Sequence, residues 1–217
     1  GHLDHSPAAR PLADITGAKI YASAHPVKRT NSLVRTEEDN DSGFSFDVAI
    51  SDGDRIAGAG WTIEALATPG HTSNHVAYAL AEENALFTGD HIMGWSTTVI
   101  VPPDGDMDAY FASLEKVRDR NFAKLWPTHG PPVTAVRPFV QSYIDHRRDR
   151  ETAILAQLAA GHTRIKDIVP IIYAAVSPGL HPAAAQSVLA HMIRLVKNGR
   201  VTTDGPPSLE SAYQLDA

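Results

Sequence analysis

The 217-residue chain is 43 % hydrophobic and 20 % charged, ordinary values for a globular protein of one large or two small domains. A formal net charge of −6 argues against a general nucleic-acid binder, which needs a basic surface to displace counterions. No apolar run reaches the ~18 residues of a membrane span, so no membrane partner is expected, and the lack of cysteine leaves no disulfide or thiolate ligand.

Gly1-His2-Leu3-Asp4-His5 opens the chain with three potential metal ligands in four residues. Ser6 reads as a helix N-cap with Pro7 at the first helical position, where a missing N–H costs nothing. The helix should run toward Ile15, stop at Gly17 and be kinked or shortened by Pro11. A strand follows over 18–22. The polar segment 27–43 reads as an exposed loop, with Lys28, Arg29 and Arg35 solvated rather than gathered into a phosphate site. Strand signals return at 47–50 and 61–66, either side of a Ser51-Asp52-Gly53-Asp54 turn. Alternating Trp61, Ile63 and Ala65 give the second of these one core face.

Residues 75–80 and 85–88 flank Glu82-Glu83-Asn84 as a hairpin, with Thr68-Pro69-Gly70-His71 before it and Thr88-Gly89-Asp90 at its end. The spacing of Met107, Tyr110, Phe111, Leu114 and Val117 predicts a helix over 106–120. Leu125-Trp126-Pro127 leads into Thr128-His129-Gly130. From Pro138 onward the chain is Ala-rich and carries no ligand motif: helices are expected over 149–159, 165–175 and 182–198, then a wing of two strands, 201–203 and 211–215. The expected division is residues 1–137 and residues 138–217.

His2, Asp4, His5, His71, Asp90 and His129 stand out because each lies beside Gly, Pro or Thr turn signals or in the dense opening motif. Imidazole and carboxylate donors suit Zn²⁺, Fe²⁺ or Mn²⁺ and leave room for water. His25, His75, His146, His162, His181 and His191 lack that context and read as surface or hydrogen-bonded core residues. His91 stays open between a contact behind the ligands, a substrate contact and plain packing.

In this order the set resembles the metallo-β-lactamase superfamily, whose pattern is H-x-H-x-D-H, then His, Asp and His. The resemblance implies an α/β (α+β) fold, the αββα sandwich, with His2 and His71 on one metal, Asp4, His5 and His129 on a second, and Asp90 bridging. It implies two divalent ions, zinc first, with iron or manganese admitted by the same donors. A hydroxide between them would be the nucleophile, with Asp4 and Asp90 as the catalytic carboxylates. The pattern's first His would fall immediately before Gly1, and the strands that precede the motif in the family are absent as well. A chain that begins inside the motif accounts for both, so the first half of the sandwich is expected to be missing. The absence of cysteine also argues against the antibiotic-hydrolysing lactamases that place one in the second metal site.

Three helices followed by a wing, together with Gly89-Asp90-His91 and Thr128-His129-Gly130-Pro131, are similar to the lactamase-like endoribonuclease branch with its C-terminal winged-helix domain. That implies a metal-dependent hydrolase acting on single-stranded RNA. The acidic balance favours instead a small-molecule ester or thioester, as for hydroxyacylglutathione hydrolases. A di-iron redox enzyme and a non-enzymatic winged-helix regulator are further readings, the last opposed by the nearly intact ligand set. Residues 138–217 hold eight Lys+Arg against seven Asp+Glu, too weak a balance for a sequence-specific DNA reader. The tail is therefore expected to wall the site or to form a homo-oligomer contact, with loops near 93–103 bordering the substrate. The missing cysteines accord with a cytoplasmic location, and the expected truncation leaves a mitochondrial one open.

Overall fold

A computed structural model describes residues 2–24, 41 and 43–216; the expected loop over 27–43 and His25 lie almost wholly outside them. A 3-10 turn at Ser6–Ala8 leads into α1 (Ala9–Thr16), and β1 (Tyr21–Ser23) pairs in parallel with β2 (Val48–Ile50). Then β3 (Arg55–Gly58), β4 (Trp61–Ala67), β5 (Val76–Leu80), β6 (Ala85–Gly89) and β7 (Lys124–Pro127) form one sheet in chain order. Its pairs are antiparallel except β6–β7, between which α2 (Met107–Asp119) crosses over.

Two-residue periodicity sorts the sheet into faces. Leu66, Ala77, Ala79, Leu86 and Leu125 share one side by register and are buried under Met107, Tyr110, Leu114 and Val117 of α2. Burial of each such large aliphatic side chain stabilises the fold by about 1.5–3 kcal/mol. The other side carries Ile63, Tyr78, Phe87 and Trp126, and there the Tyr78 hydroxyl donates to the Tyr21 carbonyl of β1 at 3.4 Å.

Helix α3 (Val136–Ala159) joins this core to a second one. Val136, Val140, Tyr143 and Ile144 pack with the sheet and α2. Ile154 and Leu158 pack instead with α4 (Ile165–Ile172), α5 (His181–Lys197), β8 (Val201–Thr203) and β9 (Tyr213–Leu215). The antiparallel β8–β9 wing gains a bridge from Arg164 to Ala212. Arg194 of α5 ties the two cores together: it pairs with Asp108 of α2 at 2.7 Å and Glu151 of α3 at 2.7 Å, and lies over the Phe111 ring.

Several local expectations need correcting. Ser6 is not an N-cap; its hydroxyl lies 2.9 Å from the His2 carbonyl and from the Asp41 carboxylate, so it fastens the ligand turn instead. Pro11 is the third residue of α1, where no N–H partner is required, and the helix continues past it to Thr16. The first strand is Tyr21–Ser23 rather than 18–22, and α4 ends at Ile172 rather than 175. Strand β3 has a single large apolar residue, Ile56, and offers little alternation to read. Helix α3 begins at 136 rather than 149, so the boundary drawn at 137/138 falls inside its first turn. Its buried stripe includes Arg147 and Glu151, charges that break the apolar pattern.

The start of α2 sets the loop that carries His71. Asp106 caps the helix by accepting from the Ala109 amide at 2.9 Å, and its own amide donates to the Gly70 carbonyl at 2.9 Å. Ser113 donates to the Pro69 carbonyl at 2.7 Å. Gly70 has φ +142°, and a Cβ there would lie 2.4 Å from the Tyr110 Cα. Gly70→Ala is therefore expected to cost at least about 2 kcal/mol in urea unfolding, because backbone rather than a movable side chain blocks the methyl. A midpoint within error of the parent would contradict this packing.

Candidate metal centre

Four loops, three of them at the C-terminal ends of β4, β6 and β7, bring the six residues into two groups that share Asp90. Asp4, His5, Asp90 and His129 offer ligand atoms all within 4.8 Å of one another, as do His2, His71 and Asp90. Asp90 follows the last residue of β6, His129 follows β7, and His71 sits in the β4–β5 loop. His2, Asp4 and His5 come from a turn closed by the His5 and Ser6 amides donating to the His2 carbonyl.

Asp90 is clamped on every side. His5 Nε2 lies 2.7 Å from Oδ2, the Thr128 hydroxyl donates to Oδ1 at 2.6 Å, and the Thr98 hydroxyl donates to the Asp90 carbonyl at 2.5 Å. Burial alone would raise this carboxyl, but the hydrogen bonds from His5 and Thr128 outweigh it and hold it well below the usual carboxylate range. The same bond to Asp90 raises the His5 imidazole against its own burial. His129 Nε2 stands 3.3 Å from Asp4 Oδ2 and 3.5 Å from Asp90 Oδ1. The loops of His129 and Gly94 are in backbone contact: the Gly94 amide donates to the His129 carbonyl at 2.7 Å, and Gly130, at φ +96°, leaves no room there for a Cβ.

The other group is drier. His71 is 6 % exposed; its Nδ1 lies 2.8 Å from the Val99 carbonyl. A carbonyl only accepts, so Nδ1 carries the proton and Nε2 presents a lone pair. That Nε2 is buried, lacks a hydrogen-bond partner among the described residues and lies 3.9 Å from Asp90 Oδ2. The His2 and His71 rings meet edge to face at 5.0 Å, and burial, with His71 alongside, pushes His2 down to about 4. A neutral His2 imidazole and the free Nε2 of His71 beside an ionised carboxylate fit a divalent cation.

His91 is fully buried, against Tyr110 at 5.1 Å and His75 at 6.0 Å; burial drives its pKa down to about 3 and it packs as a neutral ring. His75 bonds the Thr68 hydroxyl at 2.8 Å. His191 is buried beside Glu151 in the junction of the two cores, and His146, His162 and His181 belong to the helical tail. Sequence reasoning missed Thr98, Thr128 and Trp95. Trp95 is 72 % exposed and stacks on the His129 imidazole at 6.2 Å and 14°, in the loop expected to border the substrate.

A family model described as the metallo-beta-lactamase superfamily matches residues 1–129, and one described as a beta-lactamase associated winged helix domain matches residues 165–206. The chain is 35 % identical over 176 residues to a beta-lactamase-like protein 2 homolog of Caenorhabditis elegans, across 80 % of this chain and 58 % of that protein. It is 31 % identical over 176 residues to an atrochrysone carboxyl ACP thioesterase of Pseudocercospora fijiensis, across 77 % of this chain and 52 % of that one. Among solved structures, a metallo-beta-lactamase family protein from Thermus thermophilus aligns with TM-score 0.68 at 23 % identity, across 79 % of this chain and 55 % of that one. The chain thus spans little more than half the length of these relatives. Its match over residues 1–129, on the fold and ligand order described above, places it in the metallo-beta-lactamase superfamily, with a beta-lactamase-associated winged helix domain following.

Proposed function

We propose that the chain belongs to a divalent-metal-dependent hydrolase of acyl thioesters, with two ions sharing Asp90, zinc expected first. The observation that carries the metal reading is His71. Its Nδ1–H is committed to Val99, and its buried Nε2 lone pair faces the site with nothing among the described residues to accept from. His2, His71 and Asp90 would hold one ion; Asp4, His5, His129 and Asp90 the other. Bound there, such ions supply Lewis acidity toward the scissile carbonyl and acidify coordinated water to a pKa of roughly 7. The chain's own residues fix the geometry: Thr128 holds Asp90 Oδ1, Thr98 holds the Asp90 carbonyl, and the exposed Trp95 face offers an apolar wall for an acyl group.

Charge placement favours a thioester over RNA. On α5, the helix that a DNA- or RNA-contacting winged helix would present, Arg194 is engaged by Asp108 and Glu151, and Lys197 by Asp108 at 2.8 Å. Those cations are not free to meet phosphates. The thioesterase named among the relatives points the same way. The test is parallel assay of the zinc-loaded protein on acyl thioesters and single-stranded RNA, with and without chelator. Thioester cleavage abolished by chelator is expected; chelator-sensitive cleavage of RNA alone would contradict the substrate class.

Two variants separate the roles. Asp90→Ala removes a ligand from both groups at once and is expected to lower kcat about a thousandfold, equivalent to roughly 4 kcal/mol. Trp95→Ala is expected to raise KM severalfold with kcat little changed, the signature of lost uniform binding. A fall in kcat at constant KM would remove Trp95 from the substrate wall.

Metal loading also carries a proton signature. His5, raised above 6.5 by its bond to Asp90, must release its proton before Nε2 can bind an ion, whereas His2, pushed down to about 4, is already neutral. At pH 6.5, calorimetry in buffers of different ionisation heat should show fewer protons released by His5→Ala and an unchanged count for His2→Ala. In the metal-free protein the sign is the reverse: the His5–Asp90 pair stabilises below pH 6.5 and fades as pH rises through the raised His5 value.

A further inference from the structure

Arg147 lies on α3, outside the ligand set, and is 2 % exposed. A buried guanidinium is costly unless its hydrogen bonds are well placed, and its Nε has no hydrogen-bond partner among the described residues. One nitrogen, Nη2, donates to the Thr98 carbonyl, and the guanidinium carbon stands 5.3 Å from the centre of the Tyr110 ring. Tyr110 in turn donates to the His91 carbonyl at 2.9 Å. One helical turn before Arg147, the Tyr143 hydroxyl reaches the carbonyls of Met93 and Ser96.

These contacts all grip the segment between β6 and α2, and that segment holds the metal ligands from behind. The Thr98 hydroxyl donates to the Asp90 carbonyl at 2.5 Å, and the Val99 carbonyl lies 2.8 Å from His71 Nδ1. The peptide that Arg147 holds is thus adjacent to the one that orients His71, and the same Thr98 fastens Asp90. A carbonyl that turned away would release the His71 proton to either nitrogen and loosen both groups through Asp90.

We propose that Arg147 is a positioning residue for the metal centre, acting through Thr98 and Val99 on Asp90 and His71, with Tyr143 bracing the same loop. The proposal rests on the metal reading above. It also makes α3, the helix shared by both cores, the link through which the C-terminal unit supports the site.

Arg150 provides a matched control within the same helix. Its Nη1 donates to the Ile172 carbonyl at 2.6 Å, its guanidinium lies 4.4 Å over the Tyr173 ring, and its Nε is likewise buried without a partner among the described residues. It makes the same kind of contact toward α4 instead of toward the ligand loop.

Zinc affinity, measured by competition with a chromophoric chelator, and thermal stability are compared for the parent, Arg147→Met, Arg147→Lys and Arg150→Met. Arg147→Met is expected to bind zinc about 10–100-fold more weakly, with part of the loss recovered in Arg147→Lys. Arg150→Met is expected to melt earlier yet keep zinc affinity within about twofold, as expected for a contact outside the ligand loop. Equal losses of affinity in Arg147→Met and Arg150→Met, or parent affinity in Arg147→Met, would overturn the proposal. If Arg147→Met does not fold, Tyr143→Phe replaces it: severalfold weaker binding supports the bracing of the loop, and unchanged affinity overturns it. A parent protein that takes up no zinc overturns the metal reading itself, whereas zinc binding indifferent to Arg147 overturns only this inference.

Discussion

A carboxylate at the end of β6, with its side chain only 11 % exposed, is expensive to keep ionised, and the surroundings of Asp90 are arranged to do so. Each oxygen has a hydrogen-bond partner, and the backbone behind it is fixed by Thr98. The ligand-bearing loops approach this one group from different elements: the opening turn through His5, the β4–β5 loop through His71, the end of β7 through His129. Negative charge held in a poorly solvated place attracts cations, and His5 is the imidazole that it meets at hydrogen-bond distance. The sheet supplies the rigidity such a site needs.

The second dependency is mechanical. Helix α3 contributes Val140 and Ile144 to the core under the sheet and Ile154 and Leu158 to the core of the winged-helix unit. Between those stretches lie Arg147, facing the ligand loop, and Glu151, facing Arg194 and His191 of α5. Charges in the middle of a buried stripe cost stability, and here they fall where the helix passes from one core to the other. The winged-helix unit is therefore coupled to the core under the sheet through shared packing. Arg194 and Lys197 of α5 are engaged by acidic groups of α2 and α3.

The clustering of the six His and Asp residues was legible because metal-binding chemistry restricts such sets to few residue types and because turn residues mark three of the positions: Pro69-Gly70 before His71, Thr88-Gly89 before Asp90, Pro127-Thr128 before His129. Strand β4 and helix α2 followed from periodicity, β5 and β6 from the turn between them, and α5 from Ala-rich composition ending at a glycine. What escaped depended on partners distant in sequence. Arg147 and Arg148 are neighbours that nothing local distinguishes, yet the first is buried and the second has a side chain 57 % exposed. Thr98 and Tyr143 matter through carbonyls far from them along the chain. Ser6 has the composition of a cap, but its hydroxyl is taken by the His2 carbonyl and the Asp41 carboxylate.

Anomalous diffraction at the zinc edge from crystals of the zinc-loaded protein tests the central claim most directly. Two peaks are predicted, one on each side of the Asp90 carboxylate and about 3.5–4 Å apart. One should lie about 2.0–2.1 Å from nitrogens of His2 and His71, the other at that distance from nitrogens of His5 and His129. Peaks elsewhere, with none in coordinating distance of Asp90, would contradict it.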